Sequence, residues 1–230
     1  MALDPVPPAT LYALSADGLN VLDGDGRWKG MNRGLPRAET VVCNGLALDP
    51  TDPGTLYIAT SPKGLYRTTN GGRNWRENNF QLGGGVRNIK GVAVSAGGDL
   101  FVSLRGVGLL RSGDDGRTWA LSQDGITFTT TLFGTISAPV FDPNDPNVAL
   151  AYNSDGVFRS ADGGATWQRF GNGLSVTAVV TTLVFAPAQP DVALGGTAAS
   201  GVWAAAEEIT DPPDPPDPPS RLMFVPMIRR

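Results

Sequence analysis

The sequence predicts an all-β fold: a β-propeller of about five four-stranded blades, incomplete at both ends, followed by a Pro-rich linker and a short tail. A glycine followed by an apolar residue recurs every 44 to 48 residues, at Gly18, Gly64, Gly108, Gly156 and Gly201. This period matches a propeller blade of roughly 40–50 residues. The composition agrees, because 30 glycines and 19 prolines in 230 residues fit many short strands joined by tight turns.

Short apolar segments with the length of strands divide each repeat. The first strand is predicted at 45–48, 91–94, 138–141 and 182–185, and the second at 10–14, 55–59, 100–102, 148–151 and 192–194. The third strand opens with the recurring glycine, and the fourth leaves from a tryptophan. Alternating and continuous apolar patterns both occur, which indicates sheets stacked face to face. The blades are predicted near 1–35, 41–82, 89–126, 137–174 and 180–208.

The turn between the third and fourth strands carries the pattern S-x-D-x-G-x-T-W. Its Ser and Asp side chains can accept turn N–H groups, its glycine supplies a positive φ, and its tryptophan enters apolar surroundings. Two copies follow the pattern fully: Ser112, Asp114, Gly116, Thr118 and Trp119, then Ser160, Asp162, Gly164, Thr166 and Trp167. A variant copy contains Thr68, Asn70, Gly72 and Trp75, and a worn copy, one residue short, spans 23–28.

These motifs resemble the Asp-box, or bacterial neuraminidase repeat (BNR), of β-propellers. Sialidases, xyloglucanase-type glycosidases, sortilin-like receptors and the propeller assembly factors of photosystem II carry this repeat. The resemblance implies that the Asp-box turns lie on one face and build structure. It also implies that ligands meet the opposite face, at the mouth of the central channel. Because these proteins include enzymes, receptors and assembly factors, the resemblance leaves the function open.

Both ends of the repeat array are incomplete. Residues 2–5 align with 47–50, so the first blade opens within its first strand, and the fifth blade has no Asp-box after Trp203. Either the ring closes by pairing its terminal strands, or the chain is a piece of a longer protein.

The composition changes after residue 208. A Pro-rich linker spans 209–220 and predicts a stiff spacer, and an apolar and basic tail spans 221–230. The tail resembles the C-terminal tails of some exported bacterial proteins, which favours an exported or cell-surface location. No signal peptide is visible in residues 1–8. Two alternatives remain: the tail is disordered, or 222–228 folds back as the missing strand.

Charge and residue usage exclude several classes of chemistry. The formal net charge of −4 argues against a nucleic-acid partner, and the lack of histidine excludes Ser-His-Asp triads and His-ligated zinc. Cys43 is the only cysteine and is predicted to be a small buried hydrophobe. No apolar run approaches ~18 residues, so no transmembrane helix is predicted. We expect no cofactor and no metal.

Candidate ligand contacts lie in the loops of the face opposite the Asp-boxes. The binding candidates are Arg37, Lys63, Arg87, Arg105, Phe128 and Phe133. The two phenylalanines would form a docking platform or plug the channel mouth. A glycosidase needs two carboxylates flanking the substrate, for which the candidates are Glu39, Asp155, Asp17 and Asp124.

The favoured function is a non-catalytic module that binds a protein or glycan on the loop face. The alternative is a glycoside hydrolase, similar to a sialidase or xyloglucanase, or a fragment of one. No Arg-Ile-Pro motif of the sialidase type is found near the start. A truncated product without independent function is a third reading. The chain is expected to be a monomer or an oligomer completed by the tail.

Overall fold

Five antiparallel β-sheets form the blades of a β-propeller, which confirms the predicted fold class. The computed structural model describes residues 2–4, 10–79, 82, 88–128, 135–171, 180–186, 189–198 and 201–206. Four blades contain four strands each, and three strands of the fifth lie within these residues. The predicted linker 209–220 and tail 221–230 lie outside the described residues. No helix in the described part is long and apolar enough to cross a membrane.

Each blade is a meander in which consecutive strands pair. Blade 1 contains β1 (Ala2–Asp4), β2 (Thr10–Ser15), β3 (Gly18–Leu22) and β4 (Trp28–Gly30). Blade 2 contains β5 (Val42–Leu48), β6 (Leu56–Ser61), β7 (Gly64–Thr68) and β8 (Arg76–Glu77). Blade 3 contains β9 (Ile89–Val94), β10 (Leu100–Leu104), β11 (Gly108–Ser112) and β12 (Ala120–Leu121). Blade 4 contains β13 (Val140–Phe141), β14 (Ala149–Asn153), β15 (Gly156–Ser160) and β16 (Gln168–Phe170). Blade 5 contains β17 (Val180–Ala186), β18 (Gln189–Thr197) and β19 (Gly201–Ala206).

Each of the first four blades packs one face, here called its forward face, against the next blade along the chain. The third strand contributes the residue that follows the recurring glycine, which is at most 1% exposed at Leu19, Leu65, Leu109 and Val157. The second strand contributes a large apolar side chain, at most 5% exposed, at Tyr12, Tyr57, Phe101 and Leu150. These residues join side chains of the following blade in shared apolar clusters. Burial between blades therefore holds the array together.

The opposite side of each sheet is called its backward face, and in blades 2 to 5 it meets the preceding blade. The tryptophans at the ends of two repeat turns anchor this contact. Trp75 Nε1 donates to the Met31 carbonyl at 2.8 Å, and Trp167 Nε1 donates to the Ser122 carbonyl at 3.0 Å. Both indoles are at most 4% exposed, so each combines apolar burial with a satisfied polar atom.

The innermost strands approach one another closely because small residues face each other. A Cβ on Gly91 would lie 2.9 Å from the Ala138 Cβ, and a Cβ on Gly45 would lie 3.2 Å from the Val92 nitrogen. A larger side chain at either glycine would push two neighbouring blades apart. These residues thus set the width of the channel between the inner strands.

The repeat turns of blades 2, 3 and 4 share a hydrogen-bond scheme. In blade 4, Ser160 Oγ accepts from the Gly164 N–H at 2.8 Å and donates to Asp162 Oδ1 at 2.8 Å. Asp162 Oδ1 then accepts from the Thr166 N–H at 2.9 Å. Equivalent bonds occur within 112–118 and, with Thr and Asn in place of Ser and Asp, within 68–74. The side chains therefore satisfy turn N–H groups in all three copies.

The same bonds lower the pKa values of the turn aspartates. At Asp114, bonds from the side chain and the N–H of Thr118, and from Ser112, hold the pKa at about 2. At Asp162, burial raises the pKa, but the bonds from Thr166 and Ser160 outweigh it and leave the pKa below its ordinary value. The carboxylates are thus charged, hydrogen-bonded parts of the turn.

The two ends of the array each leave a blade face open. On the forward face of blade 5, Val202 is 79% exposed and Val184 is 48% exposed. On blade 1, Trp28, the tryptophan of the worn repeat turn, is 49% exposed. The described residues of blades 1 and 5 therefore do not bury these faces against each other to close a ring.

Replacing Gly91 with alanine should destabilise the fold, because the new Cβ would overlap the Ala138 Cβ of the neighbouring blade. We expect a loss of about 1–3 kcal/mol in the free energy of unfolding, measured by urea titration. Gly97→Ala is the control, since its Cβ would lie 3.8 Å from the nearest atom, Ser95 Oγ. A loss at Gly91 no greater than at Gly97 would contradict the close approach.

The Asp114 carboxylate should make stability depend on pH in the acid range. Its folded pKa of about 2 lies below the ordinary 3.8, so its contribution is present above pH 3.8 and is lost as the pH falls towards 2. The stability difference between wild type and Asp114→Asn should shrink over this window in urea unfolding from pH 6 to 2. An Asp114→Asn profile parallel to wild type would contradict the prediction.

Candidate functional site

A cavity of about 710 Å³ lies between the inner strands of blades 2 to 5. It is lined by the first halves of β5, β9 and β17 and by the last residues of β10 and β14. These strand ends are the ones remote from the repeat turns, so the cavity opens on the loop face. Its volume is within the range of small-molecule and peptide-end pockets.

Three β-bulges place polar residues at the mouth of this cavity. The pairing of β5 with β6 skips Asn44, that of β9 with β10 skips Lys90, and that of β17 with β18 skips Thr181. All three residues line the cavity. A bulge bends its strand and turns the extra side chain away from the regular pleat. The same irregularity in three blades therefore builds one polar rim.

Hydrogen bonds between blades fix part of this rim. Asn44 Nδ2 donates to the Ile89 carbonyl at 2.6 Å and links blade 2 to blade 3. Tyr152 Oη donates to the Thr181 carbonyl at 2.7 Å and links blade 4 to blade 5. Burial raises the pKa of Tyr152, so the phenol stays protonated as a donor at neutral pH. These bonds between blades therefore hold the rim in place.

Blade 4 contributes a polar residue without a described bulge. Ser137 precedes Ala138 as Asn44 precedes Gly45, and its Oγ accepts from the Tyr152 N–H at 3.0 Å. Ser137 also lines the cavity, so each of the four blades presents one polar side chain at the same point of its inner strand.

Ser103 adds an unusual group to the cavity lining. Its side chain is fully buried, and its Oγ has no hydrogen-bond partner. Ala59 occupies the equivalent position in blade 2, opposite Leu65 as Ser103 is opposite Leu109. The hydroxyl is thus not needed to build the strand.

Lys90 is the only charged residue among the described residues that line the cavity. No carboxylate lies among them, so this part of the chain offers no acid–base pair at the cavity. No group of three or more Cys, Asp or Glu side chains that could hold a metal ion occurs in the described ranges. The lining can donate and accept hydrogen bonds and can neutralise one negative charge.

The four described residues among the binding candidates predicted from sequence do not line the cavity. Arg37, Lys63 and Arg105 are exposed in loops of the first three blades. Phe128 is half-buried and packs against the cluster between blades 3 and 4. Arg87 and Phe133 lie outside the described residues.

The four candidate carboxylates are dispersed over separate loops. Glu39 lies in the 3₁₀ turn Ala38–Thr40, and Asp17 in the turn between β2 and β3. The Asp124 carbonyl accepts from the Trp167 N–H where blade 3 meets blade 4. Asp155 lies in the turn after β14, where its N–H donates to Asn153 Oδ1. None of the four lines the cavity.

Sequence reasoning missed most of the rim, although a signal was present. In four repeats a polar residue directly precedes the first strand predicted from the sequence: Asn44, Lys90, Ser137 and Thr181. In an alternating strand such a residue looks like an ordinary exposed position. The shared offset from the strand start was the information that pointed to a common site.

Comparison with known proteins supports the fold. No protein-family model matches the sequence, and no curated protein matches it. The chain is similar to the GH74 enzyme of Niastella koreensis, with 20% identity and a TM-score of 0.63 over 86% of this chain and 34% of that one. It is also similar to the extracellular domain of BT4673 from B. thetaiotaomicron, with 13% identity and a TM-score of 0.69 over 91% and 26%.

A third similar structure is the GH74 xyloglucanase of Xanthomonas campestris, with 20% identity and a TM-score of 0.58 over 82% of this chain and 32% of that one. The chain therefore spans about a third or less of the length of each of these proteins. At such identities the likeness shows the β-propeller fold and no more.

Replacing Ser103 with alanine should not destabilise the protein, because it removes a buried hydroxyl without a partner. We expect the free energy of unfolding to stay within about 0.5 kcal/mol of wild type or to rise. Ser160→Ala is the contrasting variant, because it removes the acceptor of the buried Gly164 N–H. It should lower the free energy of unfolding by about 1–3 kcal/mol. Equal losses of unfolding free energy in the two variants, measured by urea unfolding, would show that the Ser103 hydroxyl has a hydrogen-bond partner.

Proposed function

We propose that the protein is a non-catalytic binding module of the Asp-box propeller type, which recognises a protein or glycan ligand at the cavity of the loop face. The observation that carries the proposal is the rim made by three bulges, which turns Asn44, Lys90 and Thr181 towards one cavity. Bulges of this kind re-aim side chains, and here they do so at the same point of three repeats.

The chemistry of the lining favours recognition over turnover. Hydroxyl, amide and ammonium groups suit the hydroxyls of a sugar or the carbonyls and carboxylates of a peptide. The described lining offers no carboxylate that could act as acid, base or nucleophile in glycoside cleavage.

Two probes test the proposal by isothermal titration calorimetry on the full chain. A xyloglucan oligosaccharide is chosen because one similar structure is a xyloglucanase, and an acidic decapeptide is chosen to match Lys90. We expect saturable binding of one probe. Lys90→Gln should weaken it about tenfold to a hundredfold, since a hydrogen bond to a charged group contributes about 1.5–3 kcal/mol.

Arg117→Gln is the matched control. It removes the same charge from an exposed position in the repeat turn of blade 3, on the opposite face, and should bind like wild type. Binding of neither probe would contradict the proposal, as would equal loss in both variants. Release of reducing sugar that is abolished in both Glu39→Gln and Asp155→Asn would identify a glycoside hydrolase instead.

A further inference from the structure

The forward face of blade 5 repeats an interface that every preceding blade buries. Val202 follows the recurring glycine Gly201, as Leu19, Leu65, Leu109 and Val157 follow theirs. Those four side chains are at most 1% exposed, whereas Val202 is 79% exposed. Blade 5 therefore offers an apolar docking position that none of the other described blades covers.

Two neighbouring positions show the same contrast. Val184 on β17 is 48% exposed, although its counterpart Ala47 in blade 2 is 8% exposed. Leu194 on β18 is partly exposed, although its counterpart Leu150 is fully buried. Leu194 is paired with both Val184 and Ala204 across the sheet, so these residues share a face with Val202. No charged side chain occurs among the described residues of this face.

The backward face of blade 1 also exposes a residue whose counterparts in other blades are buried. Trp28 belongs to the worn repeat turn and is 49% exposed. Its counterparts Trp75 and Trp167 are buried against the blade that precedes each of them. Trp28 pairs with Leu22 in the sheet, and Leu11 lies on the same face. No charged side chain occurs among the described strand residues of this face. Within the described residues, no other blade covers the face on which Trp28 lies.

The interface within the chain shows how these two faces fit. In the contact between blades 1 and 2, Leu19 of the forward face shares an apolar cluster with Trp75 of the backward face. Leu19 Cδ2 also lies so close to Gly72 that a Cβ there would be 2.9 Å away. Val202 and Trp28 occupy the positions equivalent to Leu19 and Trp75.

We propose that the forward face of blade 5 docks the backward face of blade 1 of a second copy of this chain. The contact continues the blade-to-blade packing that already runs through the molecule, with the same residue positions on each side. It is a head-to-tail contact, because the two surfaces that meet are different. Burial of Val202, Val184 and Trp28 supplies the driving force.

Analytical ultracentrifugation of the full chain tests the proposal. Wild type should sediment as a multiple of 24.0 kDa. Val202→Asp alone and Trp28→Asp alone should each sediment as a monomer, because each has lost one of the two faces. Mixing the two variants should restore a heterodimer through the one interface that remains intact in the pair. Leu121→Asp, which changes an apolar residue 63% exposed on the outer strand of blade 3, should associate like wild type.

Several results would overturn the proposal. Wild type that stays monomeric on the order of 100 µM, where a micromolar interface would be saturated, excludes the second copy. Trp28→Asp that still dimerises alone would show a symmetric contact between two fifth blades. Association abolished by deleting 209–230 but unaffected by Val202→Asp would assign the contact to the tail. Thermal melting of each variant checks that the exposed substitutions leave the fold intact.

Discussion

Packing of one blade on the next is the constraint on which the rest of this structure depends. A four-stranded sheet with apolar side chains on both faces cannot stand in water alone, and each blade here buries one face only because its neighbour covers it. The large fully buried side chains, such as Tyr57, Phe101 and Trp167, lie in clusters that span two sheets. Stability is therefore a property of neighbouring pairs of blades.

The repeat turns support that packing at the periphery of the propeller. The small residues of the inner strands support it near the axis. At the periphery, the Ser–Asp bond network fixes the turn so that the tryptophan after it enters the preceding blade. Near the axis, Gly91 and Ala138 allow the inner strands to approach. Across one interface, Arg67 forms an ion pair with Asp115 at 3.3 Å, and burial raises the pKa of Tyr57 beside them.

The fold was predictable because its signals are local and repeated. The spacing of Gly18, Gly64 and Gly108 revealed the blade period, and the S-x-D-x-G-x-T-W pattern specified the turn. The cavity rim was not found, because its residues look like ordinary exposed positions of an alternating strand, and the bulges that distinguish three of them are a property of two paired strands. That Asn44 is the extra residue is seen only once β5 is laid against β6. Exposure at Val202 was likewise hidden, since its sequence context matches that of buried Val157.

The fold constrains the bulged rim residues less than it constrains their neighbours in the same strands. Asn44, Lys90 and Thr181 have no partner residue across the ladder, so exchanging their side chains leaves the strand register unchanged. Leu46 or Val92, a short step along the same strands, cannot change as freely, because they pack into the clusters between blades. The side chains that line the cavity can therefore change at a few neighbouring positions while the architecture persists. Duplication of a blade would copy the bulge together with the fold and deliver another variable position to the same cavity.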